Sequence, residues 1–271
     1  GTYTGEGNVN LDFKGKAITV KSKGGAEKCI IDCEIAEDTR GFDFKSNETA
    51  SSVLDGFTIT QGKHYYGAGI RFNSSSPYII NCILRKNYGG YGGGINCRGN
   101  ASPTISNTIF VGNSADYGGG IYIVSSSSPK IFNCNITNNN AGSGGGIYVG
   151  DNASMILTNC ILWDNEPHEI SFDRVSRELE NPSISISYSD VKGGQNGMIN
   201  KDNDKRYISA SLSNKDNYEL FYITKESGRS SFYKPNYDII NEYYDKEGFE
   251  IVEIRKLKTT SLNKILDKEK I

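Results

Sequence analysis

Short stretches of alternating apolar and polar residues run through most of the chain, separated by Gly, Asn and Ser. In the segment 129–136 the alternation changes phase at Asn133. Ile131 then points inward before a bend, while Cys134 and Ile136 point inward after it. The pattern predicts two short strands that meet at a corner.

A further strand follows each glycine-rich block. In residues 121–124, Ile121 and Ile123 share one face and Tyr122 lies on the other. Three short strands per turn would close a coil, and coils stacked about 4.8 Å apart would satisfy their backbones in parallel ladders. We therefore expect three strands in each coil.

The same residues recur at a fixed interval. Gly-Gly-Gly-Ile occurs at 92–95, 118–121 and 144–147, which are 26 residues apart. Other positions keep this spacing: Pro77, Pro103 and Pro129; Asn81, Asn107, Asn133 and Asn159; Asn87, Asn113, Asn139 and Asn165. A repeat of this length predicts a solenoid in which like residues stack on successive coils.

Each stacked column has a physical interpretation. The column Ile70, Ile95, Ile121 and Ile147 is predicted to be internal, and burial of each side chain contributes about 1.5–3 kcal/mol. The Asn81 column fits a sharp corner, because Asn tolerates left-handed backbone geometry and its amide can bond the next Asn in the stack. No Lys-Ser or Lys-Thr follows the glycine blocks, which disfavours a nucleotide-binding loop.

The quoted motifs resemble those of a known family. Ser-Ser-Pro, then Ile-x-Asn-Cys-x-Ile, then Asn, then Gly-Gly-Gly-Ile-Tyr is similar to a coil of the right-handed parallel β-helix repeat family, pectate-lyase-like in fold. Residues 54–60 resemble that family's entry coil, and residues 159–165 and 188–194 its closing coils. The resemblance implies an all-β, right-handed parallel β-helix of about seven coils over residues 1–197, in a secreted or cell-surface protein.

Residues 198–271 differ in composition, with 14 basic and 13 acidic residues and 7 of the 17 Tyr. This segment is predicted to be a C-terminal cap or a small α+β appendage, with strands at 218–224 and 249–255 and a short helix at 261–270. A bare solenoid end would expose ladder groups, so we also expect a capping element before Gly1.

Charge and hydropathy exclude some partners. The net charge is −2, which gives no electrostatic reason to expect nucleic acid. No apolar run approaches the length of about 18 residues that a membrane span needs. Six cysteines and two histidines predict no metal site and no cofactor. Cys134 and Cys160 lie on adjacent coils within disulfide reach, so both a disulfide and stacked free thiols remain open.

Tyrosines are the best candidates for ligand binding. They repeat just before and just after the glycine blocks, beside residues that can bond hydroxyl groups. Aromatic rings with polar neighbours suit a polysaccharide or surface glycan, although stacked tyrosines can also serve only to stabilise the coils. The predicted site comprises Tyr66, Tyr91, Tyr117, Tyr122, Tyr148, Arg71, Arg98 and Asp116, with Arg71, Asn96, Tyr122 and Tyr148 in one outward column.

Catalysis is the rival hypothesis. A polysaccharide lyase or glycoside hydrolase needs converging carboxylates, and the lyase would also need Ca²⁺. The densest titratable patch is Glu166, His168, Glu169 and Asp173, which we interpret as solvated loop charge. We therefore expect a non-catalytic module that binds glycan, adheres to a surface or is purely structural.

A protein partner is a further expectation. Ile83, Ile109, Ile161 and Trp163 are predicted to form an outward apolar stripe. An exposed stripe of this kind indicates a surface that another chain or the C-terminal segment covers.

Overall fold

The computed structural model describes residues 1–173 and 182–193 in full, together with the backbone of strands at Met198–Asn200, Ile208–Ala210, Tyr218–Thr224 and Ile251–Lys258. Short strands pair in parallel between successive coils and form four sheets. Helix in the described part of the chain is confined to the 3-10 turn Ala26–Lys28. The predicted all-β solenoid of about seven coils is confirmed.

The four sheets follow one another around each coil. Sheet I contains β1 (Thr2–Tyr3), β3 (Ile30–Asp32), β6 (Thr58–Thr60), β10 (Ile83–Arg85), β14 (Ile109–Val111), β18 (Asn135–Thr137), β22 (Ile161–Trp163) and β25 (Asp190–Val191). Sheet II contains β7 (Lys63–Tyr66), β11 (Tyr88–Tyr91), β15 (Ser114–Tyr117) and β19 (Asn140–Ser143). Sheet III contains β4 (Phe42–Phe44), β8 (Ile70–Asn73), β12 (Ile95–Arg98), β16 (Ile121–Ile123), β20 (Ile147–Gly150), β23 (Ile170–Asp173) and β26 (Met198–Asn200). Sheet IV contains β2 (Thr19–Lys21), β5 (Val53–Asp55), β9 (Tyr78–Ile80), β13 (Thr104–Ser106), β17 (Lys130–Phe132), β21 (Ser154–Thr158), β24 (Ser183–Ser187) and β27 (Ile208–Ala210).

The central coils therefore have four strands, and the prediction of three was wrong. The additional strand belongs to sheet II, immediately before the glycine block. There the middle glycine of each block packs directly on the neighbouring backbone. A Cβ on Gly119 would lie 2.5 Å from the carbonyl oxygen of Asn140 and 2.6 Å from that of Gly145. The glycine block thus makes room for two layers of backbone with no side chain between them.

The interior consists of stacked apolar columns. Ile70, Ile95, Ile121 and Ile147 pair in register on successive strands of sheet III and are fully buried. The corresponding column of sheet IV is Ile79, Ile105, Ile131 and Leu157, also fully buried. The predicted aliphatic core is confirmed.

One asparagine column forms an exposed amide ladder at the corner between sheets IV and I. Asn81, Asn107, Asn133 and Asn159 have φ of 55°, 48°, 52° and 53°, as the turn interpretation requires. Each side-chain amide donates to the Asn one coil nearer the N-terminus, and Asn81 donates to Asp55 at 2.8 Å.

A second asparagine column is buried between sheets I and II. The Nδ2 of Asn87 donates to Oδ1 of Asn113 at 2.9 Å, and the same bond repeats from Asn113 to Asn139 and on to Asn165. Each Nδ2 also donates to a backbone carbonyl. The Oδ1 that accepts from the Nδ2 of the preceding Asn in the row also accepts from the backbone N–H of that preceding Asn. The row leaves these polar groups satisfied inside the coil.

The inward cysteines also take part in a polar column. Sγ of Cys134 donates to the carbonyl of Phe132 at 3.1 Å, and the backbone N–H of Cys134 donates to Sγ of Cys160 at 3.4 Å. Thr108 and Ser189 occupy the same column with the same local bond. All six cysteines are free thiols, which settles the alternative left open for Cys134 and Cys160.

Parallel pairing extends beyond residue 197. Strand β26 pairs with β23, and β27 pairs with β24. Further along, β28 (Tyr218–Thr224) and β29 (Ile251–Lys258) form an antiparallel pair. The helix predicted at 261–270 lies outside the described residues, and the division of the chain at 197 stays a prediction.

Candidate functional site

Three predicted tyrosines form a stacked row at the ends of the sheet II strands. Tyr66 and Tyr91 have ring centroids 5.6 Å apart with planes 16° apart, and Tyr91 and Tyr117 are 5.4 Å apart with planes 7° apart. The in-register pairing of β7, β11 and β15 sets this spacing. Because the rings stack on one another, the row presents mainly edges and hydroxyls outward.

Two further tyrosines lie against this row from sheet III. Tyr122 contacts Tyr91 at 5.1 Å between centroids, and Tyr148 contacts Tyr117 at 5.4 Å. Tyr148 is only 2% exposed, and Asn96, in the same outward column, is fully buried. These two members of the predicted outward column are therefore not open to solvent: the tyrosine contacts bury Tyr148, and Asn96 donates to the carbonyl of Tyr91 at 3.0 Å.

Arginines and acids border the cluster. The guanidinium of Arg98 lies 5.0 Å from the ring centroid of Tyr66, a cation–π contact. Burial and the carboxylate of Asp173 raise the pKa of Tyr148. The pKa of Tyr91 is also raised, first by a hydrogen bond with Tyr65 and then by burial. The charge of Asp116, which is exposed on β15, makes a smaller contribution in the same direction.

Arg71 has a different environment from the one predicted. It donates from Nε and Nη2 to the carboxylate of Asp43, at 2.7 Å and 2.8 Å, so its planar fork is already occupied. Burial opposes the charge of Asp43, but the bonds from Arg71 and Lys45 outweigh it and lower the pKa of Asp43. The structure places Arg71 beside the tyrosine cluster as part of an ion-pair network.

One buried and one half-buried side chain connect that network to the row. Arg40 is almost fully buried, donates to the carbonyl of Tyr66 at 2.7 Å and contacts His64. Burial and the charge of Arg40 lower the pKa of His64 to about 4, so the imidazole is neutral at pH 7. This arrangement holds the end of β7 in place.

Tyr65 was missed by the sequence interpretation. Its ring contacts those of Tyr66 and Tyr91 at 4.8 Å and 5.2 Å between centroids, nearly at right angles to both. It is nevertheless 54% exposed, more than the other large apolar or aromatic residues described as exposed. Tyr65 lies outside the 26-residue columns of tyrosine, and its partner position on the next coil is a glycine, so periodicity gave no signal for it.

A separate cleft of about 550 Å³ lies where the buried asparagine row ends. It is lined by Asn138, Asp164, Asn165, Glu166, Pro167, His168, Glu169, Lys192 and Gly193. Lys192 forms an ion pair with Asp164 and lies 5.8 Å from the ring centroid of Trp163. Part of the titratable patch predicted from sequence is thus gathered around one cleft, while Asp173 lies with the tyrosine cluster.

Glu169 was interpreted from the sequence as solvated loop charge, and that interpretation was wrong. The side chain is buried, with only 3% of it exposed. Its carboxylate accepts from both the backbone N–H and Nδ2 of Asn165, the last Asn of the buried row. Burial raises the pKa of Glu169 to about 7. Within the described ranges, no three His, Cys, Asp or Glu side chains are grouped so that they could hold a metal ion.

The predicted apolar stripe is incomplete. Ile109 and Ile161 are exposed on sheet I, and Ile83 is half-buried. Trp163 is 4% exposed, so its assignment to an exposed stripe was wrong, and Asn135 interrupts the column between Ile109 and Ile161. Across the part of the chain that the structure describes, no helix has the length and hydropathy to cross a membrane.

Sequence comparison identifies one family. Its sequence profile, described as a right handed beta helix region, matches residues 4–160 and, in an overlapping second match, residues 68–232. The comparison with curated proteins gave no match, and neither did the comparison with solved structures.

Proposed function

Since this chain belongs to the right-handed β-helix family, its fold is compatible with many functions, and we propose that it is a non-catalytic glycan-binding module of a secreted or cell-surface protein. The observation that carries the proposal is the tyrosine cluster. Tyr65, Tyr66, Tyr91, Tyr117, Tyr122 and Tyr148 form one connected set of ring contacts on the outside of sheets II and III.

The chemistry of the cluster suits a polyhydroxylated ligand. Phenol hydroxyls, the guanidinium of Arg98 and the carboxylate of Asp116 provide donors and acceptors along one ridge. The rings hold one another in place, so binding would cost little side-chain entropy. Adhesion to a glycan-covered surface would follow from the same contacts.

The first test is a glycan array probed with the full chain, compared with the variant Arg98→Gln. This change removes a charge at the ridge and leaves a shorter, uncharged polar side chain. We expect at least about fivefold weaker binding of the array ligand. Arg85→Gln, an exposed arginine on sheet I, is the matched control and should bind as the unchanged protein does. A folded protein that binds no glycan on the array would overturn the proposal.

The cleft around Glu169 supports a second candidate, hydrolysis of an extracellular polysaccharide. A carboxyl with a raised pKa beside other acids, here Asp164 and Glu166, is the arrangement that glycosidases use. Release of reducing ends by the full chain, abolished in Glu166→Gln, would establish it. The absence of new reducing ends from polysaccharides that the chain binds would favour the non-catalytic module.

A further inference from the structure

The outer face of sheet II carries two of the most exposed aromatic rings in the described chain. Tyr65 is 54% exposed on β7 and Tyr88 is 43% exposed on β11. Tyr88 and Gly90 share one face of β11, because they are two positions apart along the strand. The ring of Tyr65 lies over Gly90, so both tyrosines are on the same outward face.

The Tyr65 ring packs directly on Gly90, which has no side chain. A Cβ at this position would lie 2.6 Å from Cδ2 and 2.8 Å from Cε2 of Tyr65. The missing side chain therefore lets the ring lie close to the backbone of the next coil. Contacts with Tyr66 and Tyr91 then fix its orientation. Tyr65 is thus packed against two rings and a backbone and is still about half exposed to solvent.

The groups around the two rings are polar. Lys63 and Ser114 flank Tyr88 in register on the neighbouring strands. Asp116 is exposed two residues beyond Ser114, on the same face of β15. Aromatic faces beside hydroxyl, amine and carboxylate groups match a sugar ring, whose C–H faces are weakly apolar and whose rim carries hydroxyls.

The charges of this face favour a neutral sugar. Lys63 is ion-paired with Glu37, so its charge is compensated. Asp116 adds a negative charge that would repel a uronate. We propose that Tyr65 and Tyr88 form a subsite for a neutral pyranose unit, a proposal that rests on the proposed glycan-binding function and specifies its ligand.

The test is isothermal titration calorimetry of the full chain with cellohexaose, xylohexaose, mannohexaose and hexagalacturonate. At least one neutral hexaose should bind more tightly than hexagalacturonate. Tyr65→Ala should weaken that binding about tenfold, and Tyr88→Ala about threefold. Tyr65→Phe keeps the ring and should retain binding within about twofold. Tyr3→Ala, at an exposed tyrosine of the first coil, should leave the affinity unchanged.

Gly90→Ala tests the geometry without removing either ring. The added methyl should displace the Tyr65 ring and weaken binding about as much as Tyr65→Ala, while the thermal unfolding midpoint reports whether the coil is intact. If neutral hexaoses bind and the Tyr65, Tyr88 and Gly90 variants bind equally well, the subsite is wrong and the glycan-binding function stands. Tighter binding of hexagalacturonate would contradict the neutral ligand. If no glycan on the array or among these four binds the folded protein, both proposals fail.

Discussion

Glu169 is a buried acid whose protonation is linked to folding. Its pKa is raised from an ordinary value of 4.5 to about 7, chiefly by burial. The folded state therefore holds the proton more tightly than the unfolded state does. Its contribution to the free energy of unfolding is complete below pH 4.5, falls as the pH rises, and is lost above about pH 7.

We expect Glu169→Gln to flatten this pH dependence. A glutamine oxygen can still accept from Asn165, as the amide oxygens do elsewhere in the row, and it carries no charge to bury. Chemical denaturation at pH 5 and pH 8 should show a loss on the order of 2 kcal/mol in the unchanged chain and a smaller loss in the variant. The exposed Glu166→Gln is the control. Equal pH dependence in all three proteins would contradict the assignment.

The cysteine column has a hydrogen-bonding role that the sequence of the cysteines alone does not show. Cys134 and Cys160 can be interpreted as small apolar side chains, and their burial agrees with that interpretation. Thr108 and Ser189 in the same column reveal the shared property, a side-chain donor bonded to the carbonyl two residues earlier. Residue identity alone could not separate apolar packing from this weak hydrogen bond.

At the scale of the strand, the middle glycine of each block decides whether sheets II and III can meet. We expect Gly119→Ala to lower the free energy of unfolding by about 3 kcal/mol, because its methyl would contact only backbone carbonyls, which cannot move aside. Urea denaturation measures the change.

The matched control for Gly119→Ala is Gly112→Asn. Gly112 has φ of 64° and open space around its Cβ position, and Asn138 occupies the same corner one coil later with φ of 53°. This substitution should change the free energy of unfolding by less than about 0.5 kcal/mol. If Gly119→Ala lost no more stability than the small loss expected for Gly112→Asn, the two sheets would tolerate a side chain between them.

Sequence periodicity predicted sheets I, III and IV because their inward residues alternate clearly, as in Ile121 and Ile123. It did not predict sheet II as strands. Residues 88–91 are Tyr-Gly-Gly-Tyr, with no apolar alternation, since their inner face packs against glycine backbone and not against a side-chain core. Strand prediction from apolar patterns fails where a strand has no core to face.

The candidate site was predictable in position but not in orientation. The spacing of Tyr66, Tyr91 and Tyr117 was enough to place them in one row. Whether their faces or their edges point to solvent depends on side-chain rotamers and on Tyr122 and Tyr148 behind them, which periodicity does not specify. Periodicity also gives no signal for Tyr65, because its place in the site depends on the packing of its ring over Gly90.

For the whole molecule, stability should vary along the axis. Each central coil is hydrogen-bonded to a neighbour on both sides, whereas β1 and β2 are paired on one side. We expect the amides of Ile95–Arg98 and Thr104–Ser106 to exchange with deuterium at least about a hundredfold more slowly than those of Thr19–Lys21. Hydrogen exchange followed by mass spectrometry tests this, and uniform exchange along the chain would contradict it.

The two asparagine ladders are also oriented dipoles. In the buried row the N–H groups point toward the C-terminal coils, and in the exposed row they point toward the N-terminal coils. Each row ends at its positive end on a carboxylate, Glu169 in one case and Asp55 in the other. An acid at the first turn of an α-helix has the same electrostatic effect. Because the rows run in opposite directions, their dipoles oppose each other along the axis. The solenoid has one buried and one exposed polar line, and the two lines end on acids at opposite ends.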